Sequence, residues 1–170
     1  QLPLCDRLIP IVTDEYPDPE FGSGAVKITG AHDFNDYKVA ERNGLPMYRL
    51  MDTRGRMRAD GAPYAEAVAR AREIAAGSPT NGAEVDTLNL VPEAYRGLDR
   101  FDARKAVIAD INAAGLAVTV TNADGEAVPY VESKPITQPF GDRSKVVIEP
   151  MLTDQWFVDT TDLARQAMDA

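Results

Sequence analysis

Helical and strand-like stretches alternate along this chain without the regular strand–helix–strand rhythm of a doubly wound parallel sheet, and this irregular order restricts the fold more than any other feature. The stretch 2–12 alternates loosely and is broken by Pro3 and Pro10, which suits an edge strand or a short hairpin. A turn-rich connection with Pro17, Pro19, Gly22 and Gly24 follows. Residues 25–29 then read as a strand, with Val26 and Ile28 on one face and Ala25, Lys27 and Thr29 on the other. A helix is predicted to start at an Asp33 N-cap, with Asp36 at its third position and Gly44 before Pro46 as its stop. Residues 47–57 predict a strand, a turn at Asp52–Gly55 and a short return strand.

Two further helices follow from apolar spacing. Tyr64, Val68, Ala71 and Ala75 form a stripe that ends at Gly77. Ala103, Val107, Ile111 and Ala114 form a second, ended by Gly115, in the strongest helical pattern of the chain. Between them, 78–87 reads as a polar loop. Residues 116–131 predict a hairpin turning at Asp124-Gly125, and two short strands are expected around Gly141, before a helical tail. There are no repeats and no low-complexity tracts. The expectation is a mixed α+β fold, a small sheet or partly closed barrel decorated by helices.

Composition narrows the function classes. The chain has 170 residues, one domain's worth, and 27 acidic against 18 basic side chains leave a formal net charge of −9. Capture of nucleic acid by bulk positive charge is therefore excluded, although a local basic groove is not. One cysteine (Cys5) rules out an internal disulfide or a cysteine-based zinc cluster, and one histidine (His32) rules out a multi-histidine metal site. No apolar run reaches 18 residues, and the first ten residues lack the pattern of a secretory signal, so a cytoplasmic location is expected.

The densest polar constellation is Lys27, Thr29, His32, Asp33 and Asp36, all within ten residues. An ammonium, a hydroxyl and two carboxylates converge where an extended segment gives way to a helix start. Such a set can hold a small zwitterion, with a carboxylate on its α-amino group and a hydroxyl or ammonium on a polar side chain or carbonyl. Each residue also has a plain structural reading: Asp33 as a cap, Asp36 as a charge favoured by the helix dipole, Lys27 as a solvated charge and His32 as a packed ring. A Cys5–His32 nucleophile pair has no local signature in its favour. Gly22-Ser23-Gly24 precedes a strand rather than a helix, so phosphate-loop mechanisms do not apply.

Three longer blocks carry a resemblance. Residues 18–47 (DPEFGSGAVKITGAHDFNDYKVAERNGLPM), 97–111 (GLDRFDARKAVIADI) and 138–158 (QPFGDRSKVVIEPMLTDQWFV) are similar, in order, to the editing domain inserted in valyl-tRNA synthetases, which belong to the class I synthetases. The resemblance implies the fold shared with the isoleucyl and leucyl editing domains, a small β-barrel-like core with peripheral helices. It divides the chain into an editing domain over 1–150 and a segment over 151–170 that returns to the synthetase catalytic core. The activity it implies is hydrolysis of threonine wrongly esterified to valine tRNA, with Asp36 and Asp33 as the catalytic pair and Lys27, Thr29, His32, Asp33 and Asp36 lining the substrate site. Asp36 matches the aspartate that anchors the substrate's α-amino group. The partners implied are the acceptor end of that tRNA and the rest of the synthetase. No metal or cofactor is implied in this domain, ATP and magnesium being used in the aminoacylation core.

Two departures bear on the site. Gly30 stands where the family usually has proline, and a threonine-rich segment forming the opposite wall of the family's pocket is expected upstream of Gln1. The chain is thus read as incomplete on its N-terminal side, and on its own it is expected to hydrolyse little or nothing.

Overall fold

A computed structural model of the chain describes residues 1–20, 22–132 and 135–168; Phe21 of the first block, Ser133 and Lys134 lie outside the described residues, as do the last two positions of the helical tail. The predicted first helix is α1, Phe34–Arg42, capped by Asp33, whose Oδ1 accepts from the amides of Asn35 (2.8 Å) and Asp36 (3.0 Å). It ends in a paired carbonyl cap: the Gly44 amide donates to Glu41 and the Leu45 amide to Ala40. Gly44 carries the φ of +61° that this closure needs and that a side chain would oppose. Helix α2, Tyr64–Ala75, and helix α4, Arg100–Ala113, close on Gly77 and Gly115 by the same pair of bonds.

The stretch 78–87, read as a loop, contains a short helix α3, Gly82–Thr87. Its cap is legible after the fact. The Asn81 side chain accepts from the Glu84 amide at 2.9 Å, the N-cap-to-third-residue spacing of a capping box, and Arg70 holds the Glu84 carboxylate at 2.6 Å. The composition of 78–87 reads as a loop because Gly82 and the polar residues around it mask that spacing.

Strand pairing is sparse. The hairpin at Asp124-Gly125 forms as β1, Thr119–Thr121, antiparallel to β2, Ala127–Pro129. The turn at 52–55, the pair around Gly141 and the opening stretch appear as isolated bridges, Met51 to Met57, Phe140 to Val147 and Leu2 to Arg7, with a fourth from Arg56 to Asp99. Residues 25–29, predicted as a strand, join no ladder among the described residues. The chain is therefore a mixed α+β fold, and the strand pairs of its described residues do not close into a barrel.

The core lies on one face of α2, where Ala67, Val68 and Ala71 pack with Leu90 under Tyr48, Leu50, Tyr64 and Leu88. The strong apolar pattern of α4 buries only Ala103 fully, so that periodicity marks a helix without marking a core face. Beside the core sits a polar knot. Arg58, 4% exposed, grips Asp60 with Nε and Nη2 (3.0 and 2.7 Å) and donates Nη1 to the carbonyls of Arg49 and Asp86. Asn89, fully buried, donates to the carbonyls of Arg58 and Asp60 and accepts from the Val91 amide. The side-chain polar atoms of Arg58 and Asn89 all find partners, as burial demands.

The turn-rich connection is tied to α1 by Asp14, which accepts from Arg42 (2.5 Å) and Asn43 (3.0 Å). The Arg42 hydrogen bond holds the Asp14 carboxyl at about 2, below its ordinary 3.8. A folded pKa below the unfolded one contributes stability above pH 3.8 that is lost as pH falls towards 2. Asp14→Asn is accordingly expected to be less stable than the parent at neutral pH, with the gap closing across that acid window. Urea midpoints measured at several pH values check it, and a pH-independent gap would count against the ion pair as its source.

Candidate functional site

The site begins with residues 25–29. Because this stretch pairs with no strand among the described residues, its backbone is free to bond elsewhere, and the Thr29 amide donates to Asp36 Oδ2 at 2.7 Å. The Thr29 hydroxyl donates to the same oxygen at 3.0 Å and accepts from Lys27 Nζ at 3.1 Å. Lys27, Thr29 and Asp36 thus form a single hydrogen-bonded relay, from an exposed ammonium to a carboxylate only 7% exposed. Asp36 sits in the first turn of α1, where the helix's unpaired amides favour a negative charge.

Two carboxylate oxygens in this turn remain without a hydrogen bond among the described residues: Oδ1 of Asp36 and Oδ2 of Asp33. Acceptors of that kind suit an ammonium, while Lys27, with one bond made and two N–H groups over, suits an oxygen. Four of the five sequence-predicted residues therefore come together with polar capacity to spare.

The fifth, His32, is used differently. Its Nδ1 lies 3.1 Å from the Pro150 carbonyl, and its Nε2 accepts from the Leu50 amide at 2.9 Å. Both ring nitrogens are engaged by backbone, so the ring has no nitrogen left for a substrate or for Cys5. Burial pushes its pKa down from 6.5, against the raising effect of the Pro150 carbonyl. That Pro150 and Leu50 would meet this ring is a contact across 118 and 18 residues, which no local pattern announces.

Gly30, between the relay and the histidine, is a point of close approach. A Cβ there would lie 2.7 Å from Ala40 Cβ on α1 and 3.2 Å from Met47 Cγ. The absence of a side chain lets α1 sit against 29–31 closely enough for Asp36 to reach Thr29. A separate cavity of about 300 Å³, lined by Asp52, Gly55, Arg100, Val147, Glu149 and Met151 among others, does not include the candidate residues. Sequence reasoning did not single out its Arg100–Glu149 ion pair (2.6 Å), whose partners lie 49 residues apart.

No helix of the described residues is long and apolar enough to cross a membrane. No family model matches the chain. The valine–tRNA ligase of Ruegeria pomeroyi is 59% identical to it over 179 aligned positions, which take in 96% of this chain. The chain spans 18% of the length of that enzyme. Identity at this level over nearly every residue agrees with the resemblance carried by the three sequence blocks: the chain is similar, almost end to end, to a piece of a valyl-tRNA synthetase.

Proposed function

We propose that residues 1–150 form the post-transfer editing domain of a valyl-tRNA synthetase and hydrolyse threonyl-tRNA(Val). The observation that carries this reading is the Lys27–Thr29–Asp36 relay with its spare carboxylate oxygens on Asp36 and Asp33. Threonine is nearly isosteric with valine, and an apolar pocket rejects an added hydroxyl only weakly. Valyl-tRNA synthetase facing threonine is the standard case of this problem, and a second site that welcomes the hydroxyl solves it.

In the proposed reaction Asp36 Oδ1 takes the α-ammonium of the threonyl ester, while Asp33 and Lys27 read its hydroxyl and carbonyl. Water adds to the ester carbonyl and the carbon–oxygen bond to the terminal ribose breaks. Threonine leaves as its zwitterion, one proton of the water restores the ribose hydroxyl, and the other is released to solvent. Catalysis rests on orientation of water and ester rather than on a protein nucleophile. No cofactor is needed in this segment, with ATP and magnesium assigned to the aminoacylation core. Residues 151–170 would lead back to that core, a reading supported by the fully exposed Trp156 and the exposed Phe157 and Val158. The partners are then the tRNA acceptor end and the remainder of the enzyme, working in the cytoplasm.

Asp36→Asn tests the reading within the whole ligase, because an amide oxygen can still accept from Thr29 while the charge is gone. Threonyl-tRNA(Val) hydrolysis is expected to fall by about 100-fold with valylation unchanged. Hydrolysis at the parent rate would refute the role of Asp36. A second reading is a non-catalytic module, in which the same Lys27–Thr29–Asp36 surface only docks the acceptor end or packs on the synthetase core. A non-hydrolysable threonyl-adenosine analogue separates the two: saturable binding lost in Asp36→Asn supports the hydrolytic site, and tRNA binding without analogue binding supports docking.

A further inference from the structure

The turn carrying the relay is fastened to the segment that follows residue 148 by two long-range bonds. The Leu152 amide donates to the Ala31 carbonyl at 2.9 Å, and the Pro150 carbonyl lies 3.1 Å from His32 Nδ1. The other ring nitrogen accepts from the Leu50 amide at 2.9 Å, and the His32 amide donates to the Thr29 carbonyl at 2.9 Å. One side chain therefore joins three stretches, at 29–33, 50–51 and 149–152, and its neighbours in sequence are Thr29, Asp33 and Asp36. We infer that His32 is a positioning residue of the proposed hydrolytic site, holding the Thr29–Asp36 turn in register with the segment at 149–152. The inference rests on the hydrolytic reading and adds a dependence of that site on how the outgoing segment is seated.

The chemistry of the clamp is specific. Only a neutral imidazole with its proton on Nδ1 can donate to Pro150 and accept from Leu50 at once; imidazolium would oppose a second donor to the Leu50 amide. Burial favours that neutral form. The charged groups facing the ring are Arg49 and Lys27, which resist protonation, and Glu149, which favours it. Substitution should therefore disturb the site, and so should acid, since the clamp opens as the ring gains its proton below pH 6.5.

The experiment compares the whole ligase with its His32→Leu variant in threonyl-tRNA(Val) hydrolysis between pH 5 and 8. The parent-to-variant rate ratio cancels the general pH dependence of ester hydrolysis. It is expected to be about tenfold or more at neutral pH, carried by kcat rather than KM, and to fall towards one as pH drops below 6.5. His32→Asn, which can restore only the bond to Pro150, should lie between the two. A ratio within twofold at neutral pH, or one that does not change with pH, overturns the inference. If His32→Leu fails to fold, as lost valylation would reveal, amide exchange in the parent replaces it. Protection of the Thr29 amide relative to a core amide such as Val91 should then fall over the same acid range, and a constant ratio overturns the inference. Loss of hydrolysis in Asp36→Asn but not in His32→Leu would sink this inference alone, whereas hydrolysis unaffected by Asp36→Asn would sink the reading beneath it.

Discussion

Arg58→Ala is expected to destabilise the fold by about 2–5 kcal/mol, because it leaves two part-buried carbonyls without their donor at about 1–3 kcal/mol each. The guanidinium is 4% exposed and serves four acceptor atoms: both Asp60 oxygens and the carbonyls of Arg49 and Asp86. Asp60 can rehydrate, its side chain being 65% exposed, but the two carbonyls face the space the side chain leaves. Arg58→Lys should recover only part of the loss, because one ammonium cannot reproduce a planar fork that reaches in three directions. Asn89→Ala should cost about 1–3 kcal/mol, since it strips donors from the carbonyls of residues 58 and 60 and an acceptor from the Val91 amide. Asn89 bonds the backbone of Arg58 itself, so the double variant should lose less than the sum. Urea unfolding of the four proteins measures the coupling. Strict additivity, or an Arg58→Ala loss below 1 kcal/mol, would mean that the knot is peripheral to stability.

That knot also shows where sequence reading stopped. Helices α1, α2 and α4 were legible because their signals are local: Asp33 before α1, apolar recurrence in α2 and α4, and glycine after each. The hairpin of β1 and β2 was legible for the same reason, five residues carrying the turn and Asn122 bracing it through the Asp124 and Glu126 amides. Residues 25–29 alternate like a strand yet pair with no strand among the described residues, because alternation records two faces and not the presence of a neighbour. Their amide at Thr29 goes to a side chain instead, and that substitution builds the candidate site. The grouping of Lys27, Thr29, Asp33 and Asp36 could be read from ten residues of sequence. The clamp of His32 onto Pro150 and the cradle of Arg58 at Asp86 could not, since both are decided by long-range packing.

Gly30→Ala is expected to remove most of the proposed hydrolysis and to cost about 1–3 kcal/mol, the range for forcing a methyl into a filled space. The new Cβ would stand 2.7 Å from Ala40 Cβ, and Ala40 is 3% exposed, rigidly part of α1 and unable to yield alone. Met47 can swing its thioether aside, but α1 can retreat only as a unit. Its retreat draws Asp36 away from the Thr29 amide, a bond of 2.7 Å with little slack. Proline, usual at this position in the family the chain resembles, also carries a Cβ, so Gly30→Pro should be no milder here while Ala40 stays. The compensating change is Ala40→Gly, which removes the opposing methyl at roughly 1 kcal/mol of helix propensity. Alone it should leave hydrolysis near the parent rate, and combined with Gly30→Ala it should restore what the first change removed. Hydrolysis and valylation by the whole ligase, measured for both single variants and the double, distinguish contact from general damage. Contact predicts recovery in the double variant with valylation constant throughout. A double variant as inactive as Gly30→Ala would show that the clash with Ala40 is not what holds position 30 to glycine.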